Sequence, residues 1–313
     1  MLSPVAPAYT YGGIDFLDLV WIDDQTLWAI GYNGADPRLM WYSQDAGSSW
    51  QVREAPTGGF TLSSISFADS LHGWAACNSR YVIRTSDGGQ KWERLKVPVW
   101  MSWTQIQFAS QTTGFLAGST GRCDRLTDNC TTGIKILRST DGGTSWRVCF
   151  KDSRHASVFQ ITTQSEKVAL VVVDGNALLK TTDGGNSWKE IRTPAGGIST
   201  AGFKGDGTLW AVGHHNSFFY STNLGESWHR PESLPAGSPA RFWWDIAFAD
   251  DKSGVATGDH GLIAVTRDGG RNWSDPSVSV DDHLRRIRLH GRQGFVIGAR
   301  QLYRVTLNAC CEN

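Results

Sequence analysis

One eight-residue pattern recurs six times and fixes what this chain can fold into. It runs Ser43–Trp50 (SQDAGSSW), Thr85–Trp92 (TSDGGQKW), Ser139–Trp146 (STDGGTSW), Thr181–Trp188 (TTDGGNSW), Ser221–Trp228 (STNLGESW) and Thr266–Trp273 (TRDGGRNW). The pattern is Ser/Thr-x-Asp-x-Gly-x-x-Trp. Its third position falls at Asp45, Asp87, Asp141, Asp183, Asn223 and Asp268, at intervals of 42, 54, 42, 40 and 45 residues. Recurrence at a period near forty residues marks a repeat architecture and must be read before any local structure.

A second pattern travels with the first. Each box follows a short β-branched or aromatic run such as YVIRT, IKILRS, ALLKT, SFFYS or LIAVT. Ahead of that stands a segment like LWAIG, GWAAC, GFLAG or LWAVG, and earlier still a run such as ISF, IQF or IAF. Such runs, bounded by Gly and Asp, read as strands. Each unit is then a four-stranded antiparallel meander, the length of a propeller blade. The last unit, LRRIRL, GFVIG and QLYRVTL (284–307), has no box after it. It is one strand short, and Val5–Tyr11 is expected to add as its outer strand, which removes an open edge between first and last blades. The fold class is all-β: one seven-bladed β-propeller domain over 1–313, with blades near 14–53, 60–97, 101–151, 155–193, 197–231, 241–278, and 282–308 plus 4–12.

In each box the Asp carboxylate is expected to accept backbone N–H groups two or three residues on. The Gly supplies a positive φ. Trp50, Trp92, Trp146, Trp188, Trp228 and Trp273 return into the next strand as buried rings. One Asp per turn offers too few oxygens for calcium, so the boxes read as structural staples.

These boxes resemble those of the Asp-box, or bacterial neuraminidase repeat, β-propellers. Within them the chain is most similar to the photosystem II assembly and stability factor-like family, GWAACNSRYVIRTSDGGQKW (73–92) being the closest copy of the blade pattern. The resemblance implies a secreted or lumenal non-enzymatic factor that holds a partner polypeptide during assembly.

Composition narrows the function further. Thirty basic and thirty acidic residues leave a neutral chain, a poor candidate for nucleic-acid binding. No apolar run approaches the ~20 residues of a membrane helix. The opening MLSPVAPAYTYGG lacks a basic stretch followed by an apolar run, so no secretory signal is read there. Cys123 and Cys130 flank DRLTDN and are expected to form a disulfide, which implies an extracytoplasmic compartment. Cys77, Cys149, Cys310 and Cys311 carry no assigned pairing, and no C-x-x-C zinc pair exists.

Strand direction puts the boxes on one face and the inter-blade connections, with the turns between second and third strands, on the other. That second face gathers Trp100 and Trp103, Arg154, His215, Arg241, Trp243 and Trp244, His260, Arg285 and Arg286, and Arg300. Aromatic and Arg side chains of this kind form binding hot spots. Trp103 and Trp243 hold equivalent positions and have a second reading as plugs between blades. Residues 283–305 hold six Arg and no acid, which suits an acidic partner segment. In that run Arg288 and Arg304 read as solvated edge residues. Charge reversal at Arg285, Arg286 and Arg300 is expected to weaken capture and leave the fold intact.

Catalytic sets are missing. A sialidase needs an Arg-Ile-Pro segment that does not occur. Other glycosidases need two facing carboxylates, and Asp245 and Asp259, placed toward the channel, have no evident partners. Asp23–Asp24, Asp69 and Asp250–Asp251 read as turn residues. His214, His215 and His260 with Asp259 are a remote metal set. The reading is a non-enzymatic, protein-binding, monomeric propeller with no catalytic residue, metal or cofactor. Two alternatives remain: a sialidase-like glycoside hydrolase or glycan-binding lectin, and an immunity or inhibitor protein against a secreted toxin.

Overall fold

The computed structural model describes residues 2–5, 15–32, 39–77, 80–123, 130–174, 177–194, 196–235, 241–276 and 280–307. They form seven antiparallel sheets around a central channel. Blade 2 shows why the sequence splits this way. Its strands are Leu62–Phe67, Gly73–Cys77, Tyr81–Thr85 and Glu93–Lys96. The second strand, GWAAC, is buried along its whole length because blades pack against both its faces. The fourth, ERLK, lies at the rim and is mostly exposed. In blades 5 and 6 that outer strand shrinks to single bridges, Tyr220 to His229 and Val265 to Ser274.

Blade 7 consists of Leu284–His290, Gln293–Gly298 and Leu302–Thr306, and Leu2–Val5 completes it, Leu2 opposite Val305 and Val5 opposite Leu302. The closing strand is therefore Leu2–Val5 rather than Val5–Tyr11. The sequence points to Val5–Tyr11 only as the stretch ahead of blade 1 without another partner, whereas pairing with a five-residue strand sets the segment. An outermost strand also tolerates Pro4. Residues 6–14 lie outside the described residues.

The insertion in blade 3 lengthens strands instead of adding only a loop. Gly114–Cys123 and Cys130–Ser139 pair throughout and place Cys123 directly opposite Cys130. β-Branched Thr120, Thr131 and Thr132 suit this extension. Residues 124–129 and the two Cys side chains lie outside the described residues, as do Cys310 and Cys311. Cys77 is buried and free, and burial pushes its thiol up to about 12.

No single core exists. Seven apolar clusters each fill the gap between two neighbouring blades, the last joining Phe295, Ile297 and Leu302 of blade 7 to Phe16, Leu19 and Trp41 of blade 1. The boxes serve these seams. In the third box Ser139 Oγ donates to Asp141 Oδ1 (2.8 Å) and accepts from Gly143 N (2.8 Å), while Asp141 accepts from Ser145 N (2.9 Å) and Ser145 Oγ (2.6 Å). The carboxylate thus reaches four residues on, further than expected, because the leading Ser or Thr takes the nearer N–H. The fifth box repeats this with Asn223. Hydrogen bonds from Ser49 and Ser187 hold the Asp45 and Asp183 carboxyls down to about 2. The box glycine then meets the preceding blade. A Cβ on Gly89, at φ +89°, would sit 2.2 Å from Cζ2 of Trp28. Trp28 Nε1 donates to Gly88 O (3.3 Å), and Trp74 Nε1 to Gly142 O (2.8 Å). Each box is a clamp between blades as well as a turn within one. Asp23, Asp69 and Asp250 accept the N–H groups two and three residues on, the turn role expected of them.

Candidate functional site

The innermost strands are Asp15–Trp21, Leu62–Phe67, Ser102–Phe108, Val158–Thr163, Ile198–Phe203, Trp243–Phe248 and Leu284–His290. All seven carry a register shift at the same place. The extra residues are Leu17, Ser63, Thr104, Phe159, Ser199, Trp244 and Arg285. A bulge re-aims its side chain and sharpens the local twist. Here all seven line one cavity of about 570 Å³ at the channel mouth. The boxes lie at the opposite end, bonded to the turns between first and second strands, as in Gly88 N to Leu71 O and Gly142 N to Thr112 O.

The residues flanking the bulges form two more sevenfold columns. Before them stand Phe16, Leu62, Trp103, Val158, Ile198, Trp243 and Leu284, all buried. Trp103 and Trp243 therefore belong to the inter-blade cores and leave the rim assigned to them from sequence. After the bulges stand Asp18, Ser64, Gln105, Gln160, Thr200, Asp245 and Arg286. Five of these polar side chains, Asp18, Gln160, Thr200, Asp245 and Arg286, tie their blade to the next. Asp18 Oδ2 accepts Ile65 N (3.3 Å), Gln160 Oε1 accepts Ala201 N (3.0 Å), and Asp245 Oδ2 accepts Ile287 N (3.1 Å). Thr200 Oγ1 also bonds Gln160 Oε1 and Asp245 Oδ1.

Arg288 fastens this ring. Its Nη1 donates to Asp245 Oδ2 (3.0 Å) and its Nη2 to Asp18 Oδ1 (2.9 Å), where Arg286 Nη1 also arrives at 3.2 Å. Burial alone would raise the Asp18 pKa. Arg286, Arg288 and two backbone N–H groups outweigh it and hold the carboxyl below its ordinary value. Burial likewise disfavours the charge of Arg288, but Asp18 and Asp245 hold its pKa above the usual guanidinium value. The sequence reading of Arg288 as an edge residue is corrected: it is a channel residue, since the bulge resets the alternation that pointed it outward. Arg286 is half spoken for by Asp18, so reversing its charge would place two carboxylates together and perturb the fold. Gln105, Gln160 and Arg288 also line a second cavity of about 330 Å³ on the box side.

The upper cavity has a polarised wall. Blades 1 to 3 contribute Leu17, Ser63 and Thr104, with Ser63 and Thr104 donating to the carbonyls of Trp103 (2.6 Å) and Val158 (3.2 Å). Blades 4 to 6 contribute an aromatic arc. Phe159 is 43% exposed, and Phe242 packs, tilted, between His214 (3.7 Å) and Trp244 (4.3 Å). Trp244 Nε1 donates to Asp259 Oδ1 (2.6 Å), which His283 Nδ1 also meets at 2.9 Å. Burial, then the neighbouring His215, lowers the His214 pKa. Blade 7 adds Arg285, paired with Asp15 at 3.2 Å, Arg286 and Arg288.

The other sequence candidates are dispersed around this mouth. His215 lines a shallower depression beside His214, with left-handed backbone (φ 52°). His260 shares that conformation and packs on His283 at 4.7 Å. Arg241 pairs with Asp275 (3.3 Å), Arg300 with Asp281 (3.5 Å), and Arg154 with Asp152 (2.5 Å) and Glu190 (3.0 Å). Trp100 is half-buried. Phe159 and Phe242 were missed from sequence, and His214 was named only in the metal set, although Phe159 shares the bulge position of Trp244. The remote set of His214, His215, His260 and Asp259 does not gather; among the described residues Asp152, His155 and Glu190 bring ligand atoms within 4.8 Å of one another. No helix among the described residues is long and apolar enough to cross a membrane.

Comparison with known proteins gives this arrangement relatives. The family model described as photosynthesis system II assembly factor YCF48 matches residues 56–236 and 234–310. The photosystem II assembly lipoprotein Ycf48 of Synechococcus sp. (strain CC9902) is 24% identical over 315 residues, covering 95% of this chain and 88% of that protein. The chloroplastic photosystem II stability/assembly factor HCF136 of Arabidopsis thaliana is 22% identical over 314 residues, covering 91% and 74%. Among solved structures, YCF48 bound to a D1 peptide superposes with a TM-score of 0.74 at 18% identity, covering 98% of this chain and 100% of that one.

Proposed function

The chain belongs to the photosynthesis system II assembly factor YCF48 family, and from that premise we propose that it is a non-enzymatic assembly factor whose upper cavity receives a polypeptide segment. One observation carries this reading. Seven bulges direct seven side chains into a single mouth, and the mouth is aromatic on one arc and cationic on the next. Aromatic rings supply apolar contact at low entropic cost, and guanidinium groups pair with carboxylates. The occupant is a polypeptide segment that carries carboxylates beside apolar side chains. Arg285, 47% exposed and paired with the half-exposed Asp15, exchanges that partner at little cost. A solved relative holds a D1 peptide, which supports a polypeptide occupant. The chain acts as a monomer in an extracytoplasmic compartment, in keeping with relatives described as a lipoprotein and as chloroplastic. Glycoside hydrolysis is not favoured, because Asp245 is committed to Arg288, Thr200 and backbone N–H groups.

The test is fluorescence anisotropy with two labelled probes, a D1 peptide and a scrambled acidic peptide, against wild type, Phe242→Ala, Trp244→Ala and Arg285→Glu. Loss of a hot-spot aromatic costs about 2 kcal/mol, roughly thirtyfold in Kd. Equal affinity of wild type and all three variants for every peptide that binds would remove the cavity from the function.

A further inference from the structure

A cluster of two carboxylates and an imidazole stands on the same face, away from the channel, where blade 3 hands over to blade 4. Asp152 ends the outer strand Arg147–Asp152, His155 lies in the connection, and Glu190 sits on the outer strand Lys189–Arg192 of blade 4. One ligand atom from each lies within 4.8 Å of the others. The imidazole is only 6% exposed. Its Nδ1 faces Asp174 Oδ1 at 3.6 Å and its Nε2 faces Glu190 Oε2 at 3.8 Å, and Nε2 is buried with no hydrogen-bond partner. A neutral imidazole with its proton on Nδ1 points a lone pair at a carboxylate. Two acceptors facing each other in a buried place call for a cation between them.

Two cations already lean on the oxygens, Arg192 on Glu190 Oε1 at 2.9 Å and Arg154 across both carboxylates. Arg154 reaches Asp152 Oδ2 at 2.5 Å and Glu190 Oε2 at 3.0 Å, while its side chain is 67% exposed. A guanidinium has donors only, and those of Arg154 go to Asp152 and Glu190, so it satisfies the carboxylates and leaves Nε2 orphaned. A metal ion can take all three. One imidazole nitrogen with two carboxylate oxygens is a borderline donor set, suited to zinc with a water as fourth ligand and poorly suited to calcium or magnesium. We propose that Asp152, His155 and Glu190 form a zinc site for which Arg154 is the stand-in, the guanidinium swinging out to solvent when the ion enters. Asp174 then accepts the proton on His155 Nδ1 and orients the ring, a second-shell arrangement common to metal-bound imidazoles. Zinc entry also frees a positive side chain on the face that carries the cavity.

The probe is zinc chloride alone, titrated into the full chain by calorimetry, with cobalt(II) absorption as the geometric readout. One equivalent is expected in wild type, with at least tenfold weaker binding in His155→Gln and in Glu190→Gln. Arg154→Ala is expected to bind several-fold more tightly, since the guanidinium that bridges the two carboxylates is gone. His283→Ala, which alters the other histidine cluster, is expected to bind as wild type does. Should His155→Gln misfold, Asp152→Asn, which keeps the side chain's volume, replaces it with the same expectation. Absence of stoichiometric zinc, binding indifferent to His155 and Asp152, weaker binding in Arg154→Ala, or loss in His283→Ala would each overturn the site.

Discussion

Arg288→Met should cost more stability than any single substitution in the outer strands. The guanidinium is the shared donor of two carboxylates that are 3% and 4% exposed, Asp18 and Asp245. Methionine keeps the volume and removes the charge. Breaking a buried pair from one side costs about 3–5 kcal/mol. Asp18 retains Arg286 and Leu19 N–H, and Asp245 retains Ile246 and Ile287 N–H, so the low end, about 3 kcal/mol, applies. At about 2.1 cal/mol/K per residue, 313 residues give roughly 0.7 kcal/mol/K, and the melting temperature falls by about 4–5 °C. Calorimetry at pH 7 reads this directly. Pairing Arg288→Met with Asp245→Asn should recover part of the loss, because the uncompensated charge goes with it. Acid supplies a second check. The folded pKa of Asp18 lies below its ordinary 3.8, so its stabilisation is present above that value and disappears as pH falls through the folded pKa. Arg288 supplies part of it, so the gap between wild type and variant should narrow below about pH 4. A variant melting within 1 °C of wild type at pH 7, or a gap that widens in acid, would refute the ring as the fastener of the channel.

Three further outcomes follow from the seams. Ser139→Ala should cost about 1–3 kcal/mol in urea unfolding and at least match Asp141→Ala, because it strands the buried Gly143 N–H while the Asp faces solvent. Gly89→Ala should cost about 3 kcal/mol, combining left-handed backbone with a Cβ inside Trp28, whereas Gly59→Ala, also left-handed but with nothing within 4 Å, should cost about 1 kcal/mol; equal costs would mean that the box does not clamp the seam. Deleting residues 1–5 should bare the Leu302–Thr306 edge and produce dimers or aggregates by light scattering.

The blades were legible because the box is rigid chemistry: a hydroxyl, a carboxylate, a left-handed glycine and a ring at fixed spacing. Closure by the N-terminal segment was legible from the missing fourth strand, though not its register, which depends on a partner three hundred residues away. The mouth was half legible. Trp244, Arg285 and Arg286 were found through exposure and charge, yet the same argument admitted Trp103 and Trp243. Strand alternation misled at that point, because one extra residue in every innermost strand shifts the inward side of everything after it. Aligning the seven strands on the bulge separates the columns: Trp103 beside Leu62 and Val158 is core, and Arg286 beside Asp18 and Asp245 is channel. Arg288 lies beyond the bulge in the one strand where two basic residues follow it. His214 and Phe242 come from turns, whose side chains meet only once the ring has closed.

Gln160 and Arg288 face both cavities of the channel while they bind neighbouring blades. A segment resting in the mouth would touch the very side chains that join blade 4 to blade 5 and blade 7 to blades 1 and 6. Whatever loosened that ring would loosen its hold as well.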